Sequence, residues 1–464
     1  MSFRIRDIPV ETNILILGRT GVGKSTWINT FINYLSYSSF DAALQAKTLS
    51  WAIPFAFSIH ALNQRNNYER KNVRVGFSDQ LHPSRGSVAV EESDGSTGTS
   101  ATPRTVVHRI EMAKRVIRLI DTPGIGDTRG ADQDRKNMND IMRVLGSYKI
   151  IHGILILLKP NEQRFDVMFR FCIQELLTHL HRDAAKNIAF GFTNCRSSNY
   201  APGDTFGPLK ALLERYNIRL GKGVVYCFDS ESFRCLAAHK ECGVSLGDLN
   251  ENRKSWNHSV KETTRLLEHF LNLTPHPVRD TVTLCEVRRG IECVVEPIAV
   301  ITERVKDAAP DLKRELDVLQ NAAAQMNVFL KHNALLTFND AKLEYLDLQI
   351  TDERSKVSLG GSRDKLDSFT MYLERCLLVK RFKEHMDDEK KPLNNDQIKE
   401  LIRTLPSLNH YGKCFVDVRQ GIAETKTIVN LEQTYVRDAA SHLSPWNPNA
   451  RDDRDTGLPQ YWVD

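Results

Sequence analysis

Three glycines, a lysine and a serine near the start of the chain have the residue types and the spacing for binding phosphate. The stretch from Gly18 to Ser25 spells G-x-x-x-x-G-K-S. Glycines at 18, 21 and 23 let the backbone wrap closely enough for its N–H groups to face phosphate oxygens. Lys24 is predicted to reach the β- and γ-phosphates, and the Ser25 hydroxyl to ligate Mg²⁺. The chain is therefore predicted to bind a nucleoside triphosphate.

The residues on either side of this loop predict the elements that position it. Asn13 to Leu17 is an apolar run typical of a buried strand, and Trp27 to Leu35 has helical spacing. The start of such a helix adds the positive end of its dipole beneath a bound anion. This order of strand, loop and helix favours a phosphate-binding loop (P-loop) over a purely structural glycine-rich turn.

A second motif, Asp121-Thr-Pro-Gly-Ile-Gly-Asp127, follows the predicted strand 115–120. Sheets of α/β proteins hold their ligands at the carboxyl ends of strands. Asp121 is therefore predicted to hold Mg²⁺, directly or through water, and the Gly124 N–H to contact the γ-phosphate. A bare D-x-x-G is common, but its place after a hydrophobic strand and downstream of the first motif makes it informative.

The first half of the chain alternates between predicted strands and helices. Strands are predicted at 105–110, 115–120, 150–158, 187–192 and 223–228, and helices at 132–148, 163–182 and 209–216. This alternation predicts an α/β fold with a mainly parallel sheet flanked by helices. We assign residues 1–245 to this P-loop domain. Within it, the Ser-, Gly- and Thr-rich stretch 84–103 is predicted to be a mobile loop and a candidate first switch.

The second half is predicted to be mostly α-helical. Residues 246–446 carry little strand signal, and apolar residues from Ile298 to Leu330 recur at helical spacing. That stripe predicts one long helix over about 297–331, with a possible kink at Pro310 and a possible coiled coil. Packing of the stripe within its own chain is at least as probable as a protein partner for this region. Residues 447–464 are predicted to be a disordered tail.

Composition excludes several classes of function. The 464 residues carry a formal net charge of only +5. The sequence has no basic stripe with interleaved aromatic residues, which is the pattern that would predict nucleic-acid binding. The longest apolar runs are far shorter than the ~20 residues that a membrane span needs. Nine cysteines include no C-x-x-C pair, which favours reduced thiols and a cytoplasmic location.

The two motifs, GRTGVGKS and DTPGIGD, together with the helix-rich second half, resemble septins and the GTPases of immunity-associated proteins (AIG-type G domains). The strings 192–196, 202–205 and 227–234 resemble a eukaryotic branch related to both groups. The resemblance covers about residues 12–240. It implies GTP or GDP as ligand, Mg²⁺ as cofactor, and a homodimer or oligomer formed through the G domain.

The resemblance also assigns roles to individual residues. The Mg²⁺ shell is implied to contain Ser25, Asp121 and a switch threonine, which is one of Thr99, Thr102 or Thr105. We favour Thr102 as metal ligand and catalytic residue, because Ser100-Ala-Thr102 resembles the immunity-associated pattern. Lys24 is implied to be catalytic. The implied nucleotide contacts from the two motifs are Gly18, Arg19, Thr20, Gly21, Val22, Gly23, Lys24, Ser25, Thr26 and Gly124.

The sequence departs from this family in its base-reading motif. The usual motif ends in an aspartate that accepts both N–H groups on one edge of guanine. The frame from Thr193 to Ser197 contains no aspartate. Asn194 is predicted to contact the base instead, and Asp204 or Asp229, from neighbouring loops, is a candidate for the missing carboxylate.

The second departure concerns hydrolysis. A glutamine that orients the attacking water lies just after the D-x-x-G motif in many GTPases, whereas this chain has Ile125 there. We therefore expect slow Mg²⁺-dependent GTP hydrolysis in a switch or assembly module that dimerises through its G domain. Asp127 and Arg129 are candidates for a contact across that interface. The alternatives are a nucleotide-locked scaffold without turnover and an NTPase with weak base selectivity, such as an ATPase.

Overall fold

The computed structural model describes residues 11–62, 67–76, 102–112, 115–125, 131–161, 167–304, 310–384, 390–408, 412–415 and 432–437. Its strands are β1 (Glu11–Gly18), β2 (Phe55–Leu62), β3 (Tyr68–Val75), β4 (Val106–Met112), β5 (Arg115–Asp121), β6 (Ile150–Ile151), β7 (Gly153–Leu158), β8 (Ile188–Phe192), β9 (Val225–Cys227), β10 (His276–Pro277) and β11 (Glu432–Arg437). Its α-helices are α1 (Lys24–Ser36), α2 (Phe40–Gln45), α3 (Ala131–Leu145), α4 (Val167–Thr178), α5 (Phe206–Glu214), α6 (Glu231–Cys242), α7 (Leu249–Asn272), α8 (Val278–Arg304), α9 (Pro310–Asn333), α10 (Ala341–Ser358), α11 (Asp364–Glu384) and α12 (Asn395–Thr404).

Seven strands form the main sheet, in the order β11-β4-β5-β1-β7-β8-β9. Five of them, β5, β1, β7, β8 and β9, run parallel to one another, and β4 is antiparallel to β5. Helices flank this sheet, and a mostly helical region follows it in the chain. The predicted fold class, a mainly parallel P-loop-type sheet followed by a helical region, is therefore confirmed.

The central strand β1 shows why the sheet needs helices on both faces. Leu15 and Leu17 belong to a hydrophobic cluster with α3, α4 and α5, whereas Ile14 and Ile16 belong to a second cluster with α1 and α7. Successive side chains of a strand point to opposite faces, so an unbroken apolar run fits a strand that is covered on both sides. Burying each such side chain stabilises the fold by about 1.5–3 kcal/mol.

The packing around the sheet extends past the boundary predicted at residue 245. In α7, Leu266 and Phe270 are fully buried in the cluster that covers one face of the sheet. A Cβ on Gly153 of β7 would lie 2.4 Å from the Phe270 ring, so glycine is required where this helix crosses the strand. The helix α7 therefore packs with the sheet rather than with the later helices.

Strand β11 also differs from the sequence-based expectation, which predicted a mostly helical region over 246–446 and no strand of the main sheet there. It pairs in parallel with β4, from Glu432 opposite Val107 to Arg437 opposite Met112. The backbone N–H and C=O groups along an unpaired strand edge are exposed, and a distant segment of the chain can satisfy them. The segment from Glu432 to Arg437 has only two apolar residues, Tyr435 and Val436, and therefore gives no strong strand pattern in the sequence.

The stretch 297–331, predicted as one long helix, is divided between two helices in the structure, and residues 305–309 between them lie outside the described ranges. The first, α8, contains Pro297 and ends at Arg304, and α9 begins at Pro310. Proline lacks the N–H group that a helix interior needs but is favoured at the first helical position. Apolar residues of both helices share one cluster, which includes Val294, Leu319 and Met326. The stripe therefore packs within its own chain.

Several predicted features lie outside the described residues. These are most of the predicted first switch, including Thr99, the possible interface residues Asp127 and Arg129, and the tail 447–464. Within the described ranges, no helix combines the length and apolarity that crossing a bilayer requires.

Candidate functional site

The glycines of the first motif form the turn between β1 and α1. Gly21 and Gly23 have φ angles of 75° and 100°, in the left-handed region that other residues rarely adopt. Gly18 ends β1, and a Cβ there would lie 2.7 Å from the Leu157 carbonyl oxygen on the neighbouring strand. The spacing of the glycines thus reflects two left-handed positions and one close approach between strands.

Lys24 begins α1 and is buried against the loop that precedes it. Its Nζ donates hydrogen bonds to the carbonyl oxygens of Gly18 and Arg19, each at 3.2 Å. Burial lowers the pKa of Lys24 to about 8, and the nearby carboxylate of Asp121 opposes this shift. The ammonium group is therefore held at the loop and remains mostly protonated at neutral pH.

Asp121 ends β5 and is fully buried beside the phosphate loop. Its Oδ2 accepts a hydrogen bond from the Thr102 hydroxyl at 3.3 Å, and that hydroxyl lies 3.3 Å from Ser25 Oγ. Burial raises the pKa of Asp121 to about 6, against the opposing effects of Lys24 and Thr102. Oδ1 of Asp121 is buried and has no hydrogen-bond partner among the described residues.

This cluster fits a magnesium ion. Ser25, Thr102 and Asp121 present oxygen atoms, the kind of ligand that Mg²⁺ prefers, and magnesium sites commonly use one or two carboxylates plus substrate phosphates. A buried oxygen without a partner is costly, and a bound cation would satisfy it. In the described part of the chain, no group of three His, Cys, Asp or Glu residues offers another metal site.

Of the three threonines considered as switch residues, Thr102 lies beside Ser25 and Asp121. Thr99 is outside the described residues. The backbone N–H of Thr105 donates to the carboxylate of Asp140, on α3, at 2.5 Å. Of the two described threonines, Thr102 is therefore the one whose hydroxyl lies beside both Ser25 and Asp121.

The second motif lies directly against the phosphate loop. The Thr20 N–H donates to the Ile125 carbonyl at 3.2 Å, and the Ile125 N–H donates to the Gly18 carbonyl at 3.3 Å. A Cβ on Gly124 would lie 2.5 Å from the Thr20 nitrogen, so this contact requires glycine. Ile125 itself is 1% exposed and belongs to the hydrophobic cluster that includes α3 and α4. An apolar, packed side chain therefore occupies the position after Gly124.

Two polar residues that the sequence reasoning missed hold the second motif in place. The Thr122 hydroxyl donates to the Ile16 carbonyl at 2.7 Å, and Asn137 Nδ2 of α3 donates to the Gly124 carbonyl at 3.2 Å. Thr122 stands within the motif, which is a signal that could have been used. Asn137 has no comparable signal, because its role depends on how α3 packs.

The end of β8 is tied to the phosphate loop. The Thr193 hydroxyl donates to the Val22 carbonyl at 2.7 Å and lies 3.2 Å from the Leu158 carbonyl. The next residue, Asn194, is exposed and has a left-handed backbone with φ 57°. Asn194 thus lies at the carboxyl end of the sheet, next to the loop. Asp204 is also exposed, in a short turn before α5.

Asp229 follows β9 and is 1% exposed, and neighbouring side chains engage one oxygen of its carboxylate. Oδ2 accepts hydrogen bonds from Arg196 Nε at 3.2 Å and from Ser255 Oγ at 2.5 Å. Arg196 also donates to Asn252 Oδ1 at 2.9 Å. The sequence reasoning named Asp229 but missed its pairing with Arg196. The sequence did carry a signal for this pair, because Arg196 and Asp229 have opposite charges and follow two successive predicted strands.

Comparison with known proteins finds similarity over only part of the chain. GTP-binding protein A of Dictyostelium discoideum is 25% identical over 225 residues, which are 47% of this chain and 37% of that protein. The match therefore spans little more than a third of the relative's length. No family model matches the chain.

Solved structures of Toc33 from Arabidopsis thaliana also match part of the chain. The complex of Toc33 with GDP and Mg²⁺ is 14% identical, covers 57% of this chain and 86% of Toc33, and has a TM-score of 0.29. The complex with Mg²⁺ and GMPPNP is 14% identical, with a TM-score of 0.27. TM-scores this far below 0.5 carry no argument about this chain. The septin part of the sequence resemblance stays a prediction.

Proposed function

We propose that the chain binds GTP together with Mg²⁺ and hydrolyses it slowly. The observation that carries this proposal is the buried cluster of Ser25, Thr102 and Asp121 beside Lys24, in which one carboxylate oxygen has no partner among the described residues. A phosphate loop alone would fit any anion, whereas this cluster also fits the metal of a nucleotide complex. The matched region of the Dictyostelium GTP-binding protein supports guanine as the base.

The residues of the loop have defined roles in this proposal. Lys24 and the backbone N–H groups of the loop stabilise the charge on the phosphates as water attacks the γ-phosphate in line. Ser25, Thr102 and Asp121 would hold Mg²⁺, which supplies further neutralisation of that charge. Because the Lys24 ammonium already lies on the loop carbonyls, it needs little rearrangement to reach a phosphate.

The slow rate follows from Ile125. Its side chain is apolar and packed in the core, so it cannot orient the attacking water as glutamine does. Completion of the site by a second copy, through a homodimer of the G domain, is part of the proposal. So are a cytoplasmic location and a protein partner for the helical region.

Recognition of the base is proposed to involve Asn194 and Arg196. Arginine donates to O6 and N7 of guanine, whereas adenine presents an amino group in place of O6. Asp229 and Asn252 hold the Arg196 guanidinium in position. The absence of an aspartate from 193–197 favours a second candidate, an NTPase with weak base selectivity.

Equilibrium binding of fluorescent GTP and ATP, with and without Mg²⁺, tests the proposal. We expect Mg²⁺-dependent GTP binding, which Lys24→Ala should weaken about ten- to hundredfold, because a charged hydrogen bond is lost. Ser25→Ala should remove the effect of Mg²⁺. Ser36→Ala, at the other end of α1, is the matched control and should change nothing, because its hydroxyl bonds the helix backbone.

Turnover at increasing protein concentration separates the alternatives. Activity per molecule that rises with concentration supports a GTPase completed by dimerisation. Tight GTP binding without turnover at any concentration supports the locked scaffold. Equal affinity for GTP and ATP supports the NTPase with weak base selectivity, and no nucleotide binding at all overturns the proposal.

A further inference from the structure

A cavity of about 430 Å³ lies between α3 and α4 on one side and α8, α10 and α11 on the other. It is separate from the phosphate loop and lies where the later helices meet the helices that flank the sheet. Its lining is rich in positive charge, with six basic and two acidic side chains. The basic residues are Lys136, Arg288, Arg289, Lys342, Arg375 and Lys383.

One acidic residue of the lining is already neutralised. Glu175 forms an ion pair with Lys342 at 2.7 Å and accepts a hydrogen bond from Asn339 at 2.8 Å. The other, Glu292, forms no ion pair with the described residues. The remaining basic side chains therefore exceed the available negative charge.

Three of these cations donate to neutral carbonyl groups rather than to carboxylates. Arg288 donates to the carbonyls of Thr178, Leu336 and Thr337. Lys383 donates to the Thr337 carbonyl at 3.0 Å. Arg375 donates to the Glu292 backbone carbonyl at 3.1 Å. None of the three forms an ion pair within the described ranges of the chain.

The environment of these cations favours an added anion. Nε of Arg375 is buried and has no hydrogen-bond partner in the part of the chain that is described. Burial and the charge of Arg288 lower the pKa of Lys383 to about 7. Partly buried charges that lack an ion-pair partner are costly, and an anion would offset that cost.

We propose that this cavity binds a small molecule that carries a phosphate group. Arginine side chains match phosphate oxygens with two parallel N–H bonds, and lysine adds a point charge. A phosphate monoester carries a charge of about −1.5 to −2 and three acceptor oxygens. It therefore fits Arg288, Arg375 and Lys383 in both charge and number of acceptors. The volume falls within the range of about 300–1,000 Å³ that small-molecule sites occupy.

The position of the cavity connects it with the nucleotide motifs. Lys136 and Asn139 of α3 line it, and Arg289 of α8 donates to Asn139 Oδ1 at 2.5 Å. From the same helix, Asn137 donates to the Gly124 carbonyl. A ligand in the cavity would therefore contact the helix that holds the second nucleotide motif.

Calorimetric titration of the 464-residue chain with inorganic pyrophosphate tests the proposal. All chains carry Lys24→Ala, so that the phosphate loop contributes little. We expect saturable binding, weakened at least about tenfold by Lys383→Met, because a charged hydrogen bond is lost. Arg375→Gln provides a second, independent variant with the same expectation. Lys380→Met is the matched control, because Lys380 is on the same helix but outside the cavity, in an ion pair with Asp340.

The variants are first compared by circular dichroism and thermal melting. The proposal is overturned if the Lys24→Ala chain shows no pyrophosphate binding, or if folded Lys383→Met and Arg375→Gln chains bind as tightly as their parent. Equal weakening by Lys380→Met would also overturn it, since a general loss of charge would then explain the effect. If Lys383→Met does not fold, the comparison rests on Arg375→Gln.

Discussion

Replacing Asp121 by asparagine is expected to change how the stability of the metal-free protein depends on pH. Burial raises the pKa of Asp121 from its usual 3.8 to about 6. Between these values the folded chain binds more protons than the unfolded chain, so stability falls as the pH rises through this window. A difference of about two pKa units corresponds to about 3 kcal/mol of unfolding free energy lost above pH 6.

The asparagine variant has no carboxyl group to titrate and should not show this loss. The carboxylate also raises the pKa of Lys24, so in the variant Lys24 loses its proton more readily. That loss removes a buried charge as the pH rises, which increases the difference between the two chains. The prediction therefore concerns the difference in pH dependence between the chains, because other carboxyl groups titrate in both.

Urea unfolding in EDTA between pH 4.5 and 7.5 measures this difference. Trp27, Trp51 and Trp256 lie in the part of the chain that contains the sheet and report on it by fluorescence. Asp204→Asn, at an exposed aspartate, is the control and should follow the wild type. Parallel pH profiles for Asp121→Asn and the wild type would refute the assignment of a costly buried carboxylate.

Three further variants test other parts of the nucleotide site. Gly124→Ala puts a Cβ 2.5 Å from the Thr20 nitrogen; we expect at least about tenfold weaker GTP binding in an equilibrium titration, and unchanged affinity would contradict the need for a close approach. Arg196→Ala should reduce the ratio of GTP to ATP affinity, and an unchanged ratio would exclude Arg196 from base recognition. Ile125→Gln buries an amide and should lower the unfolding free energy by about 1–3 kcal/mol without faster turnover; faster single-turnover hydrolysis would show that packing does not limit the rate.

The sequence was sufficient to predict those parts of the site that depend on short stretches of chain. The turn after β1 needs glycine at Gly21 and Gly23 because of its φ angles, and these positions are visible in the sequence as spacing. Asp121 was predictable because it ends an apolar strand. Thr102 was harder, since it lies 77 residues from Ser25, and it was chosen by family resemblance rather than by pattern.

The parts that the sequence could not predict depend on packing between distant elements. Arg196 and Asp229 meet because β8 and β9 are neighbours in the sheet. This pairing brings the carboxyl ends of the two strands together. Strand β11 joins β4 across more than 300 residues, a pairing that no local propensity specifies. Pro310 was visible as a break in helical pattern, but whether it bends one helix or begins another depends on the neighbouring residues.

Helix α3 is in contact with both proposed ligand sites, and this has a thermodynamic consequence. Asn137 bonds the second nucleotide motif, and Asn139 bonds Arg289 at the cavity. If α3 adopts two positions that differ at both contacts, a ligand at either site will favour one position. The change in affinity must then be the same in both directions, because linkage between binding equilibria is reciprocal. A helix with a single position would instead leave the two sites independent, so measuring each affinity with the other site occupied distinguishes a coupled from an uncoupled arrangement.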